Sequence, residues 1–130
     1  MPGKIYLVGI GPGDVEQMTG RAREVWQEVD TVVGYKTYVD LIRPLLHNQE
    51  IIAFGMRQEV DRCRQAVMMA KLGRNVAVIS SGDTGIYGMA GILIEVLEQE
   101  NLLDMPLEII PGLTAVTAAA ALLGAPLMHD

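Results

Sequence analysis

The chain has 130 residues, half of them apolar and a fifth charged, which is one domain's worth of foldable sequence and not a disordered tail. Its formal charge of −6 excludes broad backbone-driven nucleic-acid binding; no apolar run approaches the roughly 20 residues of a membrane span, and the N-terminus lacks a signal-peptide pattern. The single cysteine, Cys63, excludes an intramolecular disulfide framework and supplies no metal-ligand pattern, so a soluble, cytoplasmic protein without a structural metal is expected.

In chain order, residues 5–8 of "KIYLVGIGPGD" read as an apolar strand, followed by Gly9, Gly11 and Gly13 with Pro12 between them. Ala22, Val25, Trp26 and Val29 recur at helical spacing and predict a helix over 21–28. "TVVG" at 31–34 is a short β-branched strand. A second helix is expected over 36–46 with Val39, Ile42 and Leu46 on one side, and Pro44 places its end near Ile42. "EIIAFG" at 50–55 gives the next strand. The clearest helix spans 58–72, where Val60, Cys63, Val67 and Ala70 form an apolar stripe, Met68 and Met69 fit helix packing, and Gly73 follows as a C-cap.

"NVAVIS" at 75–80 is nearly all apolar, the signature of a strand buried on both faces of a parallel sheet. A fourth helix is expected over 86–100, then the strand "LEII", then Pro111-Gly112 and an alanine-rich helix over 114–123. Strand and helix thus alternate about five times, which predicts an α/β fold with a mostly parallel five-stranded sheet flanked by helices. In "GAPLMHD", Gly124 and Pro126 stop the last helix, and Leu127 and Met128 begin an apolar run without a destination. Residues 1–123 are therefore expected to form an α/β domain, with 124–130 starting the linker to a further, C-terminal domain; a short docked tail is the alternative.

Two glycine-rich segments follow strands and so lie on the rim where parallel sheets bind ligands. The first, "GIGPGD", has glycines at 9, 11 and 13, but a dinucleotide fingerprint needs one at 14, where Asp14 stands. A carboxylate there repels a pyrophosphate unless it faces away. Walker A fails as well, since no G-K-[ST] follows. The second is "SSGDTGIYGMAG" at 80–91, in which Gly82 and Gly85 permit close backbone approach. Asp83 either contacts a ligand or caps the helix that begins beside it. Gly88 and Gly91 leave a helix surface poor in side chains, able to admit a ligand or another backbone.

Four blocks in register, "VGIGPGD" at 8–14, "VVGYKTYVD" at 32–40, "SSGDTGIYGMAG" at 80–91 and "PGLTAVTAAAALLGAPLMHD" at 111–130, resemble the tetrapyrrole (corrin/porphyrin) methylase family. Within it, "GYKTY" and "GDTGIYGMAG" are most similar to the branch that methylates C17 of precorrin-3B, with ring contraction, in cobalamin biosynthesis. The resemblance implies two α/β domains with S-adenosylmethionine in the cleft between them, S-adenosyl-L-homocysteine as product, a tetrapyrrole substrate, and a homodimer at full length. This chain matches the N-terminal domain and is expected to be inactive alone. Carried over, Pro12 borders the cleft, Ser81, Gly82, Asp83 and Ile86 match the methyl-donor loop, and Thr114 and Ala115 match a further donor contact.

The candidates for proton transfer or substrate contact are Asp14, Tyr35, Lys36 and His129, with Tyr38 and Tyr87 as further cleft residues. Four of them have a plainer role: Asp14 as a helix cap, Lys36 as a solvated lysine, Tyr87 as partly core, and His129 as part of a free end. His47 is expected in a surface loop, and Cys63 as an inert buried thiol. Cobalt, if present, would arrive within the substrate. Besides another tetrapyrrole methylase, the residues also admit a stand-alone nucleotide-type binding module or an assembly domain without a ligand.

Overall fold

The computed structural model describes residues 2–10, 19–81 and 83–112, the side chains of 83–87 excepted. The first glycine loop beyond Ile10, the alanine-rich segment 114–123 and the tail 124–130 lie outside the described residues. Among the described residues five strands and four α-helices alternate: β1 (Lys4–Gly9), α1 (Gly20–Glu28), β2 (Thr31–Tyr35), α2 (Lys36–Ile42), β3 (Glu50–Phe54), α3 (Glu59–Lys71), β4 (Asn75–Ser80), α4 (Asp83–Gln99) and β5 (Leu107–Ile110). The strands make one parallel sheet in the order β3-β2-β4-β1-β5. The α/β fold with a parallel five-stranded sheet expected from the sequence is the fold observed.

The alternation of side chains along β1 divides the core between two layers. Ile5 and Leu7 join Val76, Val78 and the inner faces of α3 and α4; Tyr6 and Val8 join Ala77, Ile79 and the inner faces of α1 and α2. Trp26 of α1 is 1% exposed and Leu93 of α4 is fully buried. Truncating either to alanine costs about 2–5 kcal/mol in lost transfer energy and cavity formation.

Local chemistry sets the element ends. Thr19 caps α1, its Oγ1 accepting from the Ala22 amide at 3.2 Å. α2 stops at Ile42, and Pro44 lies in the 3₁₀ turn Arg43–Leu45 that follows, as its missing N–H requires. α3 closes in a Schellman motif: Gly73 adopts φ 96° and donates to the Ala70 carbonyl, while Arg74 donates to Met69. The same pattern ends α4, with Asn101 at φ 57° donating to Glu98 and Leu102 donating to Leu97.

Three expectations need correction. Val60 does not complete the α3 stripe: it is 43% exposed, and the buried positions are Arg62, Cys63, Ala66, Val67 and Ala70. Met68 faces outward, and only Met69 packs against the core. α4 begins at Asp83, three residues before the expected start, because Gly85 and Gly88 hide helical periodicity without preventing a helix anchored by its apolar later turns.

The edge strand β5 is tied down by charge. Arg21 of α1 donates to both oxygens of Glu108, at 2.7 and 2.8 Å, and the Lys4 ammonium donates to the same carboxylate at 3.0 Å. Lys4 also lies 4.5 Å from the Tyr6 ring centre. Hydrogen bonds from Arg21, then from Lys4, hold the Glu108 carboxyl down to about 2. Its folded value lies below its unfolded value, so its contribution is complete above the ordinary carboxylate range and is lost as pH falls from about 4.5 towards 2. Glu108→Gln is expected to cost about 0.5–1 kcal/mol at neutral pH and to flatten the acid limb between these values in urea titrations. A second prediction concerns Arg57, held at φ 62° between β3 and α3. Glycine is free of the side-chain penalty there, so Arg57→Gly is expected to raise stability by about 0.5–1 kcal/mol, read as a higher urea midpoint at unchanged slope.

Candidate functional site

The chain crosses from β1 through α1 to β2 on one side of the sheet, and from β4 through α4 to β5 on the other. β1 and β4 are neighbours, so crossovers leave adjacent strands in opposite directions and a crevice opens beyond their carboxyl ends. Gly9 pairs with Ser80 in the ladder, and the Ile10 amide donates to the Ser80 carbonyl at 3.1 Å. The two glycine-rich segments therefore depart from hydrogen-bonded neighbours.

Beside that departure point is a cavity of about 480 Å³. Its walls come from the ends of β2 and β4, the start of α2, the turn before α3, the first turn of α3 and the second and third turns of α4. Tyr35 and Tyr38 stand edge-to-face, ring centres 5.4 Å apart at 75°, and Met56, Ile79, Met89 and Ile92 supply apolar surface. The polar lining comprises Arg57, Glu59, Arg62, Ser80 and Ser81. Ser80 is buried and Ser81 exposed. Gly88 also lines the cavity, and among the described residues a Cβ placed on it would meet no heavy atom within 4 Å. Both uses of Gly88, admitting a ligand and admitting another backbone, are compatible with the space left there among the described residues. Such a lining can hold a flat apolar body while pairing anionic groups at its edge.

Among the sequence-predicted residues, Tyr35, Tyr38 and Ser81 line the cavity. Lys36 is outside the lining: its side chain is 72% exposed and its ammonium pairs with Asp40 at 3.5 Å. The Asp40 carboxyl is held below its ordinary value by the Arg43 hydrogen bond first and by Lys36 second. Asp83 is the first residue of α4. Ile86 lies one turn further along α4. Pro12, Asp14, Gly82, Thr114, Ala115 and His129 fall outside the described residues. His47 is exposed, as expected for its loop. Cys63 is fully buried, and burial pushes its thiol up to about 12; it is inert by environment.

Arg57, Arg62 and Glu59 were not legible as site residues. The available signal was Arg62 itself, a charge on the helical face of Ala66 and Ala70 at i, i+4 spacing. Among the described residues no three His, Cys, Asp or Glu side chains gather as a metal site, and no helix is long and apolar enough to cross a membrane.

The family described as tetrapyrrole (corrin/porphyrin) methylases matches residues 4–130. A probable cobalt-factor III C(17)-methyltransferase of Salmonella typhimurium is 50% identical over 97% of this chain and 52% of its own length. The solved structure of the methyltransferase CobJ superposes with a TM-score of 0.82 at 40% identity, over 98% of this chain and 54% of that one. A uroporphyrin-III C-methyltransferase from Thermus thermophilus, solved in complex with S-adenosyl homocysteine, superposes at 0.70 and 27% identity, over 98% of this chain and 51% of its own. The chain thus spans about half the length of each of these proteins. A match that runs through both glycine-rich segments, on the fold and crevice just described, has one consequence: the chain belongs to the tetrapyrrole methylases.

Proposed function

We propose that the chain forms one wall of an S-adenosylmethionine-dependent C-methyltransferase that acts at C17 of precorrin-3B or its cobalt-containing counterpart, with ring contraction, in cobalamin biosynthesis. The observation that carries this reading is the joint departure of the two glycine-rich segments from the Gly9–Ser80 pair, beside a cavity that Gly88 leaves open. The 50% identity to a relative named for C17 methylation of cobalt-factor III supports the choice of reaction within the family. The complex of the Thermus thermophilus relative supports the choice of cofactor.

In this reading Ser81, Gly82, Asp83 and Ile86 hold the donor along the start of α4, with Pro12, Thr114 and Ala115 completing the contact. The bound donor supplies an electrophilic methyl group on a sulfonium. Asp83, at the first position of α4, receives donor hydroxyls or its ammonium. Tyr35 and Tyr38 bear on one side of the macrocycle and align the attacking carbon with the S–CH₃ bond; orientation and exclusion of water supply the rate without a covalent enzyme intermediate. Ring contraction needs proton transfers as well, for which Asp14, Tyr35, Lys36 and His129 are the candidates. Lys36, in an exposed pair with Asp40, can exchange that partner for a substrate carboxylate. A second α/β domain and a homodimer complete the site in the full-length protein.

The test incubates full-length protein with S-adenosylmethionine and either tetrapyrrole, and follows transfer of one labelled methyl group to C17 by NMR. A product methylated elsewhere would assign the protein to another branch of the family. Asp83→Ala is expected to weaken S-adenosylhomocysteine binding at least about tenfold, as loss of a charged hydrogen-bond partner does. Equal affinities in calorimetry would remove Asp83 from the donor site.

A further inference from the structure

Arg62 occupies the buried face of α3 beside Cys63, Ala66, Val67 and Ala70. It is 8% exposed, and its Nε is buried without a hydrogen-bond partner among the described residues. The countercharge beside it, Glu59, stands 3.6 Å from Nη2, close enough for attraction but too far for a hydrogen bond. A desolvated guanidinium left in this state weighs against the fold. The same side chain lines the cavity, together with Arg57, Tyr35, Tyr38 and Ser80. Two guanidiniums face one carboxylate, Glu59, so the described charged lining carries an excess positive charge. Arg57 stands exposed at the rim of the same cavity.

We infer that Arg62 is a ligand-binding residue, the floor of a carboxylate subsite in which an incoming carboxylate makes the hydrogen bond that Nε lacks. The planar guanidinium edge matches a carboxylate in shape as well as charge. Arg57, on the exposed rim, steers the anion inward. The edge-to-face tyrosines and the apolar wall receive the body that carries the carboxylate. The identity of the ligand, though not the subsite, rests on the methyltransferase reading. That reading offers two sources of the same chemistry, the amino-acid end of the methyl donor and the acid side chains of the macrocycle.

The experiment compares full-length wild type, Arg62→Met and Arg62→Lys. Without ligand, Arg62→Met is expected to melt no lower than wild type, because it removes a desolvated, under-bonded charge; an arginine with a purely structural role would melt lower when replaced. Succinate, as a simple carboxylate probe, is expected to raise the wild-type melting temperature saturably, to act weakly on Arg62→Lys, and to leave Arg62→Met unmoved. If the donor fills the subsite, wild type prefers S-adenosylhomocysteine over its decarboxylated analogue by at least about tenfold, and Arg62→Met loses that preference. If the macrocycle fills it, Arg62→Met binds S-adenosylhomocysteine as wild type does, while its KM for the tetrapyrrole rises at least about tenfold and more than its kcat falls. Arg62→Met binding all three ligands as wild type does would overturn the proposal, as would a wild type on which no carboxylate acts. A wild type that takes succinate through Arg62 but neither donor nor tetrapyrrole would keep the subsite and sink the methyltransferase reading.

Discussion

The pairing of β1 with β4 is the constraint on which the rest of the molecule depends. Six consecutive residue pairs, from Lys4 with Asn75 to Gly9 with Ser80, join two strands that are distant in sequence and central in space. β2 and β3 extend the sheet from β4, and β5 extends it from β1. The register is held at its start by Gly3, which donates to the Ala70 carbonyl; a Cβ on Gly3 would fall 1.7 Å from the Arg74 carbonyl oxygen. A slip of one residue would turn Ile5 and Leu7 into the layer of α1 and α2, and Tyr6 and Val8 into that of α3 and α4. The same pairing brings the two glycine-rich segments together, so the crevice follows from the core.

Stabilising and costly features are unevenly shared across the molecule. At the β5 edge, Glu108 accepts from Arg21 and Lys4 and every charge in that group has a partner. Both helices packed on the other layer end in full Schellman motifs. Around the cavity the local rules are relaxed. Arg57 holds a left-handed backbone without being glycine or asparagine, and among the described residues Arg62 Nε has no hydrogen-bond partner and nothing covers Gly88. Concentration of strain and unmet polar demand at one end of a sheet is the pattern of a binding site, sustained by the tight packing behind it.

The residues differ in how openly the sequence announces them. Trp26, Val39 and Val67 declare themselves by helical spacing, because the buried face of a helix repeats every 3.6 residues. Pro44 and Gly73 declare element ends, because each carries a backbone restriction or freedom of its own. Val60 misled, since spacing reports a face but not where that face stops meeting the sheet. Arg62 stayed silent for the complementary reason: a charge on an apolar stripe reads as solvated until a neighbouring element is known to cover it. Lys36 and Tyr35 are adjacent in "GYKTY", yet only Tyr35 lines the cavity, because the strand turns directly into α2 between them and sends the lysine out towards Asp40.

By itself the sequence determined the alternation of elements, the buried central strand, the family and the two glycine-rich segments, all of which rest on local periodicity, on backbone chemistry or on blocks of residues in fixed order. Only the tertiary structure decided which strands are neighbours, that Gly9 meets Ser80, and that Arg57, Glu59 and Arg62 turn towards the tyrosines. Those are contacts between segments remote in the chain. No local pattern encodes them, because they arise when two crossovers leave one strand pair in opposite directions.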